Sequence, residues 1–478
     1  MSAAPIDVAS LDGGSTTLAA AALHALGDQL TGKMIGAGDA GWHESIQLWN
    51  GMAARTPALV LECASVMDVA AVVRFASKHR LLLSIKGGGH HIAGTAIAER
   101  SLMLDIARLR EITVDPSARL AAVGAGCRLQ DVDAATQQHG LATVLGFVSE
   151  VGVAGLTLGG GLGYLTRRFG WTVDNLEAVE IVTADGEVRT ASRTEHSDLF
   201  WALRGGGGNF GVVTRFVFRL HEVGPDVLGG LIAWPFERAA EILDAYRKIT
   251  SSAPPELAVW LMLLRGPAAP FVPPTWHGKR LCALCVCYTG ALARVDEVLA
   301  PIRALRDPVF DLLQVQPYTQ VQSYLDATEP KGMHYYWKTE YLADLSAACL
   351  ANLAASFAEC PAPDADLGVL HLGGALNTRA PDDGAVGNRT ARFVCGIKGM
   401  WAPDERNADT YKQWVRDAWQ RLRPYSTGAT YINFQTDDED ESRIRATYGP
   451  NLSRLQAVKR KYDPYNLFRV NRNIRPEP

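Results

Sequence analysis

The sequence predicts an α+β protein of two domains, on three observations. Strand-like and helix-like runs alternate from residue 58 to about residue 224, and a second set of apolar strands and amphipathic helices begins afresh at Gly229. Seventeen of the 45 glycines crowd into residues 87–94, 146–170 and 205–211, a clustering that turns alone do not require. The expected division is 1–224, 225–425 and a tail over 426–478.

In the first unit Ala58–Cys63 is short and apolar and reads as a strand. Ser65 offers a helix N-cap with Asp68 three residues on, the spacing of a capping box. Val66, Val69, Val72, Val73 and Ala76 recur at helical spacing and give that helix one apolar face. Leu81–Lys86 is a second strand, stopped by three glycines, and Ser101–Ile106 is a third. Glu111–Val114 and Leu120–Val123 flank Asp115-Pro116-Ser117, while Glu177–Thr183 and Glu187–Ala191 flank Asp185-Gly186, so both pairs read as hairpins. Val212–Leu220 closes the unit.

The second unit has strands at Gly230–Trp234, Leu257–Leu264, Arg280–Tyr288, Val309–Gln316, Leu367–Leu372 and Phe393–Met400. Amphipathic helices at Glu237–Thr250, Ala347–Ala358 and Asn407–Arg423 make it an α/β domain, an antiparallel sheet backed by helices. In the tail, Asp463-Pro464 and Asn466-Leu467-Phe468 read as a fixed turn rather than another layer.

Composition narrows the class. Hydrophobic residues at 47% and charged residues at 21% exclude wholesale disorder in a 478-residue chain with ample core. A net charge of −4 leaves no basic stripe for nucleic acid or a membrane surface. The longest uncharged run, Val151–Thr166, is 16 residues and interrupted by glycine, short of the roughly 20 a bilayer span requires. The N-terminal LAAAALHAL lacks a basic flank, so no signal peptide is read. Eight scattered cysteines point to a reduced, cytoplasmic setting.

Several constellations dissolve on inspection. Gly36–Gly41 spells a literal GxGxxG, but only Met34-Ile35 precede it and Trp42-His43-Glu44 follow, so it reads as a loop. Cys282, Cys285 and Cys287 share a strand whose period of two puts Cys282 opposite the other pair, which reads as buried packing; no metal site is assigned. The acidic run Asp437–Glu441 reads as a solvated face.

The glycine stretches are different. Lys86-Gly87-Gly88-Gly89-His90-His91 follows a strand directly, and bare backbone there suits a tight wrap around a pyrophosphate. Gly152–Gly163 is too rich in glycine for a stable helix and too apolar for a surface linker. It points, with Gly205–Gly211, to close approach of a large flat ligand.

KGGGHHIAG at 86–94, Gly152–Gly163, Asp174-Asn175, DLFWALRGGGGNFG at 198–211 and the tail YINF…YGPN…KRKYDPYNLFRVNRNI together resemble the berberine-bridge-enzyme-like flavoproteins of the vanillyl-alcohol-oxidase superfamily. The resemblance spans about 40–224 and 425–475 and implies a PCMH-type FAD-binding fold made from both ends of the chain, with a substrate domain between. It implies FAD bonded through His90 to the 8α-methyl of the flavin, with Lys86, Gly87, Gly88, Gly89 and His91 around the pyrophosphate. By the same resemblance Ser149, Gly152, Val153, Gly155 and Gly161 run along the FAD, Val213 helps hold the adenine end, and Tyr431 and Asn433 lie near the flavin. Relatives often carry a second, cysteinyl link; here Val148 occupies that position, so one histidyl link and a somewhat weaker oxidant are expected. Phe434 stands where plant relatives place a catalytic tyrosine.

With Phe434 inert, the base is sought in His334–Tyr341, HYYWKTEY, a strand that the family places over the flavin. Tyr336, Lys338 and Glu340 share one face and are the candidate catalytic wall; the alternative is a Lys–Glu ladder on a solvent-facing strand. In the family a valine at the position of Val153 accompanies oxygen access. The expectation is an FAD-dependent oxidase that takes a hydride from a small alcohol, sugar, amine or secondary metabolite and passes electrons to molecular oxygen, giving hydrogen peroxide. The alternatives are a dehydrogenase with another acceptor, or a non-catalytic flavoprotein that sequesters an aromatic drug.

Overall fold

A computed structural model describes residues 5–477. The first domain is built on two sheets. In the smaller, Lys33–Ile35, Leu59–Glu62, Leu102–Asp105 and Leu83–Lys86 lie side by side, the last three parallel. Parallel pairing needs a crossover, and the Val66–Lys78 helix supplies it between Leu59–Glu62 and Leu83–Lys86. The Ser65 hydroxyl caps that helix through the Asp68 amide, as its spacing predicts. Asp68 does not return the bond to the Ser65 amide; its carboxylate takes the amides of Thr31, Gly32 and Ala64 and pins the preceding chain to the helix start.

The second sheet of this domain is antiparallel, in the order Val188–Ser192, Leu176–Val182, Val212–Arg219, Leu120–Gly124, Ile112–Asp115. Both expected hairpins are there. Its core continues into the tail: Tyr431, Tyr448, Leu455, Leu467, Phe468 and Ile474 are buried in the same cluster as Val72, Val123 and Phe216. The tail is anchored by Lys459, fully buried, whose ammonium meets Asp463 at 2.7 Å and the carbonyls of Asn209 and Phe468 at 2.6 and 2.9 Å. Asp463 also takes the amides of Leu467 and Phe468, which is the fixed turn expected there.

The second domain is an eight-stranded antiparallel sheet. Its order runs Phe310–Asp311, Asp226–Pro235, Arg280–Tyr288, Leu257–Arg265, Asp366–His371, Phe393–Trp401, His334–Leu342, with Gln314–Pro317 also paired to Asp226–Pro235. The single strand expected over Val309–Gln316 is two, because Asp311 Oδ1 accepts the Leu313 amide at 2.9 Å and turns the chain between them. One face is covered by the helices Ala239–Ser252, Ala347–Ala358 and Ala408–Leu422. The last buries Tyr411, Trp414, Val415 and Leu422, each burial stabilising by about 1.5–3 kcal/mol. The other face meets the first domain through Tyr164, Trp260, Cys285, Cys287 and Tyr318. The three cysteines divide as period two requires, with Cys282 on the helix side. Among the described residues no helix is long and apolar enough to cross a membrane.

Candidate active site

Between the two domains lies a cavity with about 1660 Å³ of space, part of it open to solvent. Its first wall is backbone. Gly87–His91 and Gly152–Gly155 meet there so closely that a Cβ on Gly88 would fall 2.4 Å from the Gly152 amide nitrogen. No larger residue fits at either Gly88 or Gly152. Gly155 and Gly208 face the cavity, and a Cβ on either would have nothing within 4 Å, so their missing side chains leave room for a ligand. Among the described residues the amides of Gly88, Gly89, His90 and His91 donate to no protein acceptor, a row of donors suited to an anion. The third glycine stretch joins them through Gly207, Gly208, Asn209 and Gly211. The tail holds it in place: Asn471 donates to the Gly208 carbonyl at 2.9 Å and Asn209 to the Arg472 carbonyl at 3.2 Å.

Both histidines line this wall as neutral bases. Burial pushes each down to about 4, against its own backbone for His90 and with Arg472 adding to the effect for His91. The His91 Nδ1 accepts the Ala93 amide at 3.1 Å, which leaves Nε2–H to face the Ile432 carbonyl at 3.4 Å. Among the described residues His90 makes no such tie to another residue and instead stacks on Trp49, ring centres 4.4 Å apart. Trp49 stacks in turn on Tyr335 at 3.9 Å.

The facing wall comes from the second domain and the tail. Trp337, Phe434, Tyr431 and Asn433 line it, with Glu329 beside them. Phe434 stands edge-on to Trp337 at 5.4 Å and to Tyr431 at 4.9 Å. The Tyr431 hydroxyl accepts the Gly161 amide at 3.0 Å and the Asn433 side-chain amide at 2.9 Å, and burial pushes its own proton affinity up. It is a fixed scaffold group. Glu329 Oε1 meets Lys398 at 2.7 Å, and Lys398 meets Asp366 at 2.6 Å.

The Tyr336, Lys338 and Glu340 face corrects the expected catalytic wall. On this strand Trp337 turns to the cavity, and these three turn to the Ala408–Leu422 helix and the tail. Lys338 is buried against Asp438 at 2.7 Å, Thr436 at 3.0 Å and Glu439 at 3.3 Å. Glu340 takes the Trp419 indole at 2.5 Å and Arg443 at 2.8 Å. Tyr336 donates to Asp438 at 2.7 Å. Neither the pocket wall nor the solvent-facing ladder describes them: they are a buried ion-pair network. The acidic run is corrected by the same contacts. Asp437, Asp440 and Glu441 reach towards solvent, but Asp438 and Glu439 neutralise Lys338 and Arg443. Burial works against the Asp438 carboxylate, yet the Lys338 ammonium and the Tyr336 hydroxyl hold it well below its ordinary value.

Comparison with known proteins agrees with this geometry. Residues 57–192 match the FAD binding domain family and residues 430–475 the berberine and berberine-like family. The chain is 30% identical to an FAD-linked oxidoreductase of Dictyostelium discoideum, over 90% of this chain and 91% of that one. It is 31% identical to (R)-6-hydroxynicotine oxidase of Paenarthrobacter nicotinovorans, over 94% and 97%. The chain belongs to the berberine-bridge-like FAD-linked oxidases. The crystal structure of 6-hydroxy-D-nicotine oxidase from Arthrobacter nicotinovorans superposes with a TM-score of 0.85 at 28% identity, covering 94% of this chain and 98% of that one. A berberine bridge enzyme variant described as a reticuline dehydrogenase shares the fold, with a TM-score of 0.85 at 17% identity, over 95% and 99%.

In this FAD-linked oxidoreductase the structure brings Gly87, Gly88, Gly89, His90, His91, Gly152, Gly155, Val213, Tyr431 and Asn433 to one cavity. Four other expected cofactor residues point elsewhere. Lys86 follows Ile85 on a strand, so as Ile85 faces the cavity Lys86 turns away, to Asp105 at 2.9 Å and the Ser45 carbonyl at 2.7 Å. Ser149 spends both its amide, at 2.7 Å, and its hydroxyl, at 2.5 Å, on Asp326 of the second domain. Val153 opens a short helix whose Ala154, Gly155 and Leu158 face the cavity, and is itself fully buried in the core. Gly161 is a packing glycine: its φ is +74°, and a Cβ would fall 2.1 Å from Thr172 Oγ1. Sequence reasoning missed Glu329, Trp337 as a wall residue, and Val470, Asn471 and Arg472. The alternation of the His334–Tyr341 strand was a signal for Trp337; nothing local marks Glu329.

Proposed function

We propose that this protein is an FAD-dependent oxidase that oxidises a small alcohol, sugar, amine or secondary metabolite, with FAD bonded covalently through His90 alone and oxygen as the electron acceptor. The observation that carries it is the neutral His90 imidazole in the cavity wall, next to a row of backbone amides without protein acceptors. A nucleophilic ring and an anion nest in one cavity fit a flavin dinucleotide, and the bare glycines leave space for it. Bound FAD supplies a two-electron acceptor. The chain's own part is to hold the pyrophosphate with the amides of Gly88–His91, keep His90 unprotonated by burial, and present Trp337 and Phe434 as a dry wall to the substrate. Val148 lines the cavity where relatives place a cysteine, which supports a single histidyl link.

Oxygen as acceptor is supported by relatives named as oxidases. One observation favours a second reading, a dehydrogenase with another acceptor: Val153, on which the expectation of oxygen access rests, is buried in the core and does not line the cavity.

The test has two parts. Acid-precipitated protein is expected to keep its flavin and His90→Ala to release it; covalent flavin in that variant refutes the link. Purified protein is then screened for peroxide release against sugars, alcohols, amines including 6-hydroxynicotine, and phenols. Stopped-flow reoxidation separates the readings, because flavin that stays reduced in air refutes the oxidase. A ligand that shifts the flavin spectrum without ever reducing it would indicate a sequestering protein instead.

A further inference from the structure

Glu329 lies on the connection between the Asp326–Thr328 turn and the His334–Leu342 strand, in the cavity wall facing the glycines. Its backbone carbonyl accepts the Trp49 indole N–H at 2.9 Å, which ties it to the ring that stacks on His90. Its Oε1 is held by Lys398 at 2.7 Å, while Oε2 is buried and, among the described residues, has no hydrogen-bond partner. Lys398 is shared with Asp366, so two carboxylates face one ammonium and the cluster carries an excess negative charge. A buried acceptor left unsatisfied costs about 1–3 kcal/mol, more for a charged group. Such a cost is offset where a ligand supplies the missing donor. The neighbouring wall residues Trp337 and Phe434 offer no proton acceptor of their own, and Tyr431 is already committed to Gly161 and Asn433.

We propose that Glu329 is the proton acceptor of the reaction: its Oε2 receives the O–H or N–H proton of the substrate, with Lys398 and Asp366 as positioning residues. This rests on the FAD-linked oxidase reading above. The substrate's C–H hydrogen leaves with its bonding electron pair to FAD, the oxidant. The O–H or N–H proton goes to Glu329, and the electron pair it releases forms the second bond of a carbonyl or imine. The substrate loses two electrons and two hydrogens, and the protein gains one proton. Lys398 is a cation held between two carboxylates and cannot take that proton; its role is to hold Oε1, so that Oε2 is left without a protein donor among the described residues. The titratable groups that face Glu329 are Lys398, Asp366 and the Tyr335 phenol, which donates to the Pro330 carbonyl, with Lys331 two residues along the chain. Burial raises the Glu329 carboxyl above its ordinary value, opposed by Lys398, which brings it closer to the working range of a general base.

The experiment compares wild-type holoenzyme with Glu329→Gln and Glu329→Asp. With a substrate found in the peroxide screen, kcat/KM of the wild type is expected to fall on the acid side through one carboxyl ionisation. Glu329→Gln is expected to lose about 10²–10⁴-fold and to lose that acid limb, with covalent flavin and its absorption spectrum unchanged. Glu329→Asp should keep a displaced limb. An intact limb in Glu329→Gln, or a loss under tenfold, overturns the proposal. A second readout needs no substrate: in the infrared titration of the oxidised holoenzyme, the wild-type minus Glu329→Gln difference should show one carboxyl protonating above the ordinary glutamate range, beyond the buried Asp133 that both proteins keep. A difference that contains no such carboxyl also overturns the proposal. Protein that holds no flavin at all would instead refute the oxidase reading, so the two failures are distinguishable.

Discussion

Replacing Lys338 by methionine separates a structural network from a catalytic wall. The Lys338 side chain is 5% exposed, and its ammonium makes contacts of 2.7, 3.0 and 3.3 Å to Asp438, Thr436 and Glu439. Methionine keeps most of the volume and removes the charge, leaving Glu439, 4% exposed, with Arg443 as its remaining cation. Removing one partner of a buried ion pair costs about 3–5 kcal/mol. Asp438 is 37% exposed and water repays part of its loss, so the lower end, about 3 kcal/mol, is expected here. At about 2–4 °C per kcal/mol for a domain of this size, the melting temperature should fall by roughly 6–12 °C. The assay is thermal unfolding followed by circular dichroism, beside peroxide release measured well below the transition of the variant. Stability should drop while kcat/KM stays within about threefold, because the side chain touches neither cavity nor cofactor wall. A variant as stable as the wild type that loses activity more than a hundredfold would refute this placement and restore Lys338 to catalysis.

Glycine substitutions should divide by what a Cβ would meet. Gly88→Ala drives a methyl into the Gly152 backbone at 2.4–2.6 Å and should abolish flavin incorporation, read as the absorbance ratio of flavin to protein. Gly155→Ala sits in a helix with open cavity beside it, so it should gain up to about 1 kcal/mol of apoprotein stability while weakening FAD retention. Buried neutral histidines set a pH dependence: His91 and His221 are held at about 4 and His371, beside Arg167, at about 2. Unfolded histidines titrate near 6.5, so between 6.5 and 4 the unfolded chain binds more protons than the folded one and stability falls as pH is lowered through that window. Urea midpoints at pH 7 and pH 5 check it, and equal midpoints would refute it. Lys459→Met removes the buried partner of Asp463 and should cost about 3–5 kcal/mol and loosen the tail, detected as faster proteolysis after residue 450.

The sequence by itself determined a good deal. Hairpin turns, the Ser65 cap and the period of the apolar runs placed most strands and helices, because each is a local rule read over a few residues. The glycine stretches were legible for the same reason: bare backbone in an apolar context has few explanations. What failed was orientation. Lys86, Val153 and the Tyr336–Glu340 face belong to elements that were placed well, yet which side meets the cavity depends on what packs against the other side. Period two says that Lys338 and Trp337 point oppositely; only the Ala408–Leu422 helix and the returning tail decide which of them goes to the cofactor. The acidic run misled because its cations, Lys338 and Arg443, lie on a strand about a hundred residues earlier and on the following helix, and the first is brought near only by the tail folding back. Glu329 was invisible in sequence, since its unpaired oxygen exists only once Lys398 and Asp366 arrive from two neighbouring strands. Local chemistry wrote the elements, and burial between distant segments chose which of their charges became structure.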